Sequence, residues 1–447
     1  MRRAMPRPGR RQPGRAKPRA APGPPPREAG LTIETVGRDG DGLAKEGGDT
    51  VAIPYLLGGE RATARIVDRR GEALMLREAS PERVEPACAH HGRVGGAEAC
   101  GSCALQHWAR GPYEAWKRDL LVSALQRAGL DVPVDPLVPC PPAARRRLVL
   151  AARRTADGTV LGFHAARSDR IVSMRECVVA VPAIVAALPA IRALCDALVP
   201  PGAKARVSVL AATNGLDLRI DADREPDAAI RRAALAAAFP FARVSLGDEV
   251  LVEREAPIVR FGDVAVSPSP GGFVQAVQAA EDAMADLVTT HLRAARRVAD
   301  LFAGSGTFTL RLAARSTVHA VEGEAAPLAV LDRAWRMGEG LRRVTVEKRD
   351  LDTRPVTRAE LDGLHAPGAR PFDGLVFDPP RAGAEAQSRQ IARSGVARVV
   401  AVSCNPVTLA RDLGVLVAGG YRIERVVPID QFAWTPHLEA VALLTRT

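Results

Sequence analysis

The sequence has no long hydrophobic run. Its apolar stretches are strand-length, well short of the roughly 18 residues that a membrane span needs, so no membrane partner is expected. It also has no apolar segment behind its basic start. The first 20 residues carry eight Arg or Lys and no acid, so a secretory signal is not expected and a cytoplasmic location follows as the default. Cysteine is sparse and odd in number. Cys88, Cys100, Cys103, Cys140, Cys177, Cys195 and Cys404, in a chain with no export signal, argue against a disulfide framework and for metal or catalytic use. Lysine is far outnumbered by arginine, a bias that a GC-rich genome also produces, which discounts part of the basic signal.

What is present is a globular composition, 47% apolar and 25% charged, in 447 residues, enough for two to three domains. The net charge of +11 points to a polyanionic partner. Residues 1–28, rich in Pro and Arg without apolar periodicity, are expected to be a disordered basic tail. From Leu31 to about Arg83, short apolar alternations separated by GRDGDG and EGGD predict a five-stranded barrel. Cys88 to Cys103 reads as a Gly-rich loop before a helix near Tyr113–Ala128, and Leu148 to about Pro270 as a second α/β unit. From Gly272 onward the runs VADLF, VHAVE, VTVEK, GLVF, RVVAVS and VALLT, several separated by helical intervals, predict an open, doubly wound α/β sheet. Ligands of such sheets sit beyond the carboxyl ends of the strands.

Asp300-Leu-Phe-Ala-Gly304-Ser-Gly306-Thr-Phe-Thr follows the first of these strands, and its glycines let backbone approach a ligand closely. A dinucleotide fingerprint would have a third Gly where Thr309 stands. Glu322 ends the next run, placed to accept from both ribose hydroxyls, and Asp350 follows the third, placed to meet an adenine amino group. The joint spacing leads to S-adenosylmethionine as cofactor.

The fourth run ends in Asp378-Pro379-Pro380-Arg381-Ala382-Gly383 and the fifth in Ser403-Cys404-Asn405-Pro406, both on the cofactor's side of the sheet. Methyltransferases acting on exocyclic amines carry an aromatic residue after a similar Pro-Pro pair. Arg381 stands there instead and is read as a substrate contact. Carbon 5 of a pyrimidine needs a thiolate added at carbon 6 before it is nucleophilic, and Cys404 at a strand end meets that need. The carbon-5 proton must then leave to a base. Glu439, opening the run EAVALLT, is the candidate, with His437 the alternative. Beyond their spacing, Cys88, Cys100, Cys103 and Cys177 suit either tetrahedral zinc or an iron–sulfur cluster.

LFAGSGTFTL, DPPRAG, SCNPVTLARDL and WTPHLEAV resemble the RNA uracil-5-methyltransferase family over about residues 30–447. The resemblance implies Cys404 as nucleophile, Glu439 as base and Asp378 as a contact to the cofactor and uracil region. Phe273 and Gln275 match the family's FxQ element, a cofactor- and substrate-contacting segment, whereas Val277 replaces the Asn that follows two residues later. It implies a 4Fe-4S cluster on Cys88, Cys100, Cys103 and Cys177, although the gap between the first two is longer than the family's and holds His90 and His91. It also implies an OB-like TRAM barrel that binds RNA. The expected architecture is therefore a tail (1–29), a TRAM-like barrel (30–86), a central α/β iron–sulfur domain (87–270) and a Rossmann-like SAM methyltransferase domain (271–447). The barrel and cluster together favour 23S rRNA as substrate of a monomer, with tRNA the alternative. A non-catalytic RNA-binding protein with a vestigial methyltransferase fold is the rival from another class, opposed by the joint presence of Cys404, Glu439, Asp378 and both glycines.

Overall fold

The computed structural model describes residues 25–94 and 99–446; most of the basic tail, and with it the expectation of disorder, lies outside them. Strands β1 (Arg27–Val36), β2 (Gly42–Glu46), β3 (Asp49–Ile53), β4 (Arg61–Val67) and β5 (Arg70–Glu78) close a barrel in the order β1-β2-β3-β5-β4. Period-two alternation sends Leu31, Ile33, Val51, Ile53, Ala64 and Ile66 inward. Gly47 and Gly48, both at positive φ, make the turn between β2 and β3. One boundary needs correction: Arg27–Ala29, expected in the tail, pair with Ile66–Ala64, because β4 would otherwise keep an open edge there.

Next come α1 (Arg110–Arg127), β6 (Arg147–Thr155), β7 (Gly158–His164), β8 (Ile171–Ser173), α2 (Pro182–Ala186), α3 (Leu188–Leu198), β9 (Lys204–Ala212), β10 (Gly215–Asp221), α4 (Ala228–Ala236), β11 (Phe241–Leu246) and β12 (Glu249–Glu253). The strands form one sheet in the order β12-β11-β10-β9-β6-β7-β8, antiparallel except for the β10–β11 pair. A hairpin of β13 (Val259–Phe261) and β14 (Val264–Val266) leads out of it.

The C-terminal unit comprises α5 (Gln278–His291), β15 (Arg297–Leu301), α6 (Thr309–Leu312), β16 (Thr317–Glu322), α7 (Ala325–Met337), β17 (Val344–Lys348), α8 (Arg358–Leu361), β18 (Gly374–Phe377), α9 (Glu385–Arg393), β19 (Arg398–Ser403), α10 (Pro406–Ala418), β20 (Tyr421–Ile429) and β21 (Glu439–Arg446). Their sheet runs β17-β16-β15-β18-β19-β21-β20. The strand order reverses between β15 and β18, which is where such sheets open a crevice for ligands. Central strands are buried on both faces: Val298, Val376 and Val400 pack toward α5, and Leu301, Phe377 and Ala401 toward α9 and α10.

Helix α1 does not stay with the central sheet. Leu121 and Leu125 pack against Leu413 and Leu416 of α10, and the chain after it runs beside β20, with Asp135 N donating to Val426 O (2.9 Å) and Val138 N to Pro428 O (2.8 Å). The exposed edge of β20 is thereby covered.

Candidate active site

The first loop of the crevice leaves β15 through Asp300. Its carboxyl is buried; Thr309 Oγ1 donates to Oδ2 at 2.5 Å, while Oδ1 has no partner. Burial pushes the Asp300 pKa up to about 7, with Thr309 pulling against it. Phe302, Gly304 and Gly306 all adopt positive φ, and a Cβ on Gly306 would stand 2.4 Å from Leu331 Cδ1. These two facts require glycine there. Glu322, half-buried at the end of β16, accepts from Gly304 N (2.9 Å) through one oxygen and from Glu324 N (3.0 Å) through the other. An ionised carboxylate has about four acceptor sites, so both oxygens can still receive ribose hydroxyls. Asp350 is exposed after β17 and accepts locally from Asp352 N and Thr353 Oγ1, both at 3.0 Å. The orphaned Asp300 oxygen and the glycine turn fit a nucleoside-bearing cofactor.

The second set of groups stands on β18, β19 and β21. In SCNP each residue has a local reason: Ser403 Oγ accepts from Asn405 N (3.1 Å), Asn405 caps α10 by accepting from Val407 N (3.1 Å), and Pro406 takes the first helical position. Cys404 is thus fixed between a strand end and a helix start. Asn405 Nδ2 also donates to Arg381 O (2.9 Å), joining this turn to DPPRAG. In that turn, Gly383 adopts positive φ, and Ala384 N donates to Asp412 Oδ2 (2.7 Å).

Glu439, buried at the start of β21, lies one position from Ala440, which pairs with Ser403. Burial, then the neighbouring Asp378, push the Glu439 pKa well above the carboxylate range, while Gln431 lowers it. Burial likewise raises Asp378 to about 7. Cys404 is pushed up to about 11 by burial and by Glu439 and Asp378, with Arg381 opposing. The structure therefore brings Cys404, Glu439, Asp378 and Arg381 together. A chain of amides supports them: Gln275 Nε2 donates to Asp378 Oδ2 (3.4 Å), and Gln431 Nε2 to Gln275 Oε1 (2.9 Å) and Glu439 Oε1 (3.2 Å). Gln431 also accepts from the backbone of Val277 (3.3 Å). Nδ1 of His437 faces Arg381 Nη2 at 3.3 Å, and burial lowers its pKa. A guanidinium only donates, so that ring nitrogen is committed as an acceptor, which favours Glu439 as the base. Phe273, 61% exposed, lies under the Arg147 guanidinium at 4.6 Å.

Cys404, Arg381 and His437 open on a groove of about 470 Å³ whose other walls are Val36 and Arg38 of the barrel and Trp116 of α1. A larger groove of about 920 Å³, around Arg311, Arg315 and Met337, holds none of these residues. Sequence reasoning missed Gln431 and a buried network beneath it. Lys117 pairs with Asp430 and donates to Phe432 O (2.8 Å); Tyr113 donates to Asp430 (2.9 Å) and accepts from Trp434 N (2.8 Å). A polar residue at a core-facing helix position was the available signal for Lys117.

Cys88, Cys100, Cys103 and Cys177 line one cavity walled by Phe163, Val172 and Met174. Burial raises the Cys100 thiol to about 11 and Cys103 to about 12, and their thiol neighbours add to both. Four thiols converging on one cavity suit a metal centre. Cys88, His90 and Glu176 also place donor atoms within 4.8 Å of one another.

A family profile described as tRNA (Uracil-5-)-methyltransferase matches residues 355–447. The fold as a whole is that of the Pyrococcus abyssi tRNA (uracil-54, C5)-methyltransferase, solved with S-adenosyl-L-homocysteine: TM-score 0.70 at 23% identity, covering 93% of this chain and 99% of that one. Fold and site define an S-adenosylmethionine-dependent methyltransferase that acts on RNA. An uncharacterized RNA methyltransferase of Mesorhizobium japonicum is 50% identical over 94% of this chain and 98% of its own length. The 23S rRNA (uracil(1939)-C(5))-methyltransferase of Chromohalobacter salexigens is 35% identical over 93% and 89%. The chain belongs to the RNA (uracil-5-)-methyltransferase family. Among the described residues no helix is long and apolar enough to cross a membrane.

Proposed function

We propose that this enzyme methylates carbon 5 of a uridine in 23S rRNA through a covalent Cys404 adduct, with Glu439 removing the carbon-5 proton. The observation that carries this reading is the placing of Cys404 directly after β19 and Glu439 at the start of the paired strand β21, close enough for Glu439 to raise the Cys404 pKa. As thiolate, Cys404 bonds to carbon 6, and the carbon 5–carbon 6 electron pair moves toward the carbonyl oxygen. S-adenosylmethionine, when bound, supplies the methyl group that carbon 5 then takes. The Glu439 carboxylate accepts the carbon-5 proton, the double bond re-forms and the carbon 6–sulfur bond breaks. Asp300, Gly304, Gly306, Glu322 and Asp350 hold the cofactor; Gln275 and Asp378 lie between cofactor and base; Phe273 and Arg381 contact the RNA.

In the same reading Cys88, Cys100, Cys103 and Cys177 hold a 4Fe-4S cluster that ties the loop after the barrel to the central domain, and the barrel is a TRAM-like RNA-binding module. The 23S assignment is supported by the 35% identity to the Chromohalobacter enzyme over nearly the whole chain. Mapping 5-methyluridine in rRNA and tRNA from a deletion strain tests the substrate: loss from 23S rRNA alone is expected, and loss from tRNA would transfer the assignment. Glu439→Gln is expected to accumulate a covalent protein–RNA band, because the adduct forms but cannot resolve. Intact turnover without such a band would remove Glu439 from its role.

A further inference from the structure

The two faces of the central sheet differ in what lies on them. Helices α2–α4 pack on the side of Leu148, Leu150, Val207 and Val209. The opposite side presents Arg147 and Arg153 of β6 and Lys204 and Arg206 of β9, all half-buried or exposed. Farther along this face the arginines are neutralised, Arg219 by Asp221 and Asp248 and Arg243 by Asp217.

Arg147 is different. Its Nε is buried without a hydrogen-bond partner, as is Nε of Arg145. Burial, and then the charges of Arg145, Arg206 and Arg146, push its pKa down to about 10. Arg146 is balanced by Glu281 and Arg145 lies near the thiols of Cys103 and Cys177, whereas Arg147, crowded by these cations in a partly desolvated place, would gain from an anion beside it. The Arg147 guanidinium lies 4.6 Å from the centre of the exposed Phe273 ring. Stacked in this way, it keeps its fork of N–H groups free for a phosphate, and the ring offers a platform for a base.

The place is also fixed relative to the chemistry. Arg146, between Arg145 and Arg147, donates through Nε to Gln275 O (3.1 Å) and through Nη2 to Glu281 (2.7 Å), and its backbone N–H reaches Ala276 O (2.8 Å). Gln275 in turn touches Asp378.

We propose that Arg147 and Arg206, with the ring of Phe273, form a receptor for the RNA backbone beside the target nucleotide, so that the substrate runs from the Cys404 groove across the β6–β9 part of the central sheet. The path rests on the Cys404 groove being the uridine site, but its test does not depend on methylation. Filter binding of an unmodified 23S rRNA transcript is measured over a salt series for the full-length protein, Arg206→Ala, Arg206→Glu and Arg147→Lys. S-adenosyl-L-homocysteine affinity serves as the folding control. Arg206→Ala should bind several-fold more weakly and lower the slope of log K against log salt by about 1. Arg206→Glu should weaken binding further. Arg147→Lys should keep the slope but lose affinity, since a point charge replaces a fork.

Unchanged affinity and slope in Arg206→Glu, which is exposed and stands independently of any folding defect at Arg147, would overturn the proposal. A wild-type protein that binds the transcript yet leaves its uridines unmethylated would fail the functional reading instead, with the slopes still measurable.

Discussion

Gln431 donates its side-chain amide to Glu439 Oε1 at 3.2 Å while the same nitrogen reaches Gln275 Oε1 at 2.9 Å, so one glutamine orients the proposed base and the segment beside the cofactor loop. A donor to a carboxylate stabilises its charged form, and Gln431 accordingly opposes the burial that raises the Glu439 pKa.

Replacing that donor should move the pH dependence. As the proposed base Glu439 works only when deprotonated, so turnover should rise with pH through its raised pKa. Gln431→Leu raises that pKa further, and the rising limb should shift to higher pH. Single-turnover methylation between about pH 6 and 9 measures this, the apparent pKa belonging to the Glu439–Asp378 pair. A limb in its wild-type position would show that the contact does not tune the base.

Cys404→Ala should abolish methylation and leave S-adenosyl-L-homocysteine affinity near wild type. The thiol stands at the end of β19, whereas the glycine turn follows β15, two strands away in the sheet. Isothermal titration with a methylation assay separates the two effects. Near-normal turnover would reject the nucleophile.

Gly306→Ala should do the converse. The added methyl meets buried Leu331 at 2.4 Å, and φ of +95° is strained for an L-residue. Left-handed backbone costs an alanine about 1–2 kcal/mol before any clash is counted. Weakened cofactor binding and a lower urea midpoint are the expected measurements.

Lys117→Met should destabilise the protein by about 3–5 kcal/mol, because Asp430 would keep a buried charge without its partner. Adding Asp430→Asn should return part of that loss. Denaturant titration of both variants reads the coupling, and strict additivity would mean that the pair does not act as a unit.

Anaerobically purified protein should carry roughly four iron and four sulfide per chain if all four cysteines hold a cubane. Cys177→Ser should lower both and loosen the Cys88–Cys103 loop. Stoichiometric zinc without sulfide would replace the cluster with a zinc site, and His90, 3.7 Å from the Cys88 sulfur, would then be the first ligand to examine.

The C-terminal sheet is legible in the sequence because its strands are buried on both faces and read as unbroken apolar runs, each ending in a residue with chemistry. β20 is not. Arg422, Glu424 and Arg425 interrupt it, and its pairing slips between Ile423 and Arg425, so no alternation survives. The Lys117–Asp430 pair spans 313 residues, and no local pattern announces a contact between them. Gln431 lies in a quoted segment, QFAWTPH, yet glutamine carries no reactive signature, and only its position above Glu439 gives it a role. Barrel, crevice and site acids follow from periodicity; the amides that hold them follow from packing alone.

β21 runs against β19, and that direction has a consequence. Were the last strand parallel to its neighbours, its first residue would emerge at the far side of the sheet, some 20 Å from Cys404 at about 3.3 Å per residue. The reversal delivers the start of one strand to the end of another, so Cys404 and Glu439, the proposed nucleophile and base, 35 positions apart in the chain, come together one step beyond the Ser403–Ala440 rung, whose spacing is set by backbone hydrogen bonds. Removing one residue from the 430–438 loop would leave that rung intact. Removing one within β21 near Glu439 would turn the acid to the other face of the sheet, and a folded protein would remain without its proposed base.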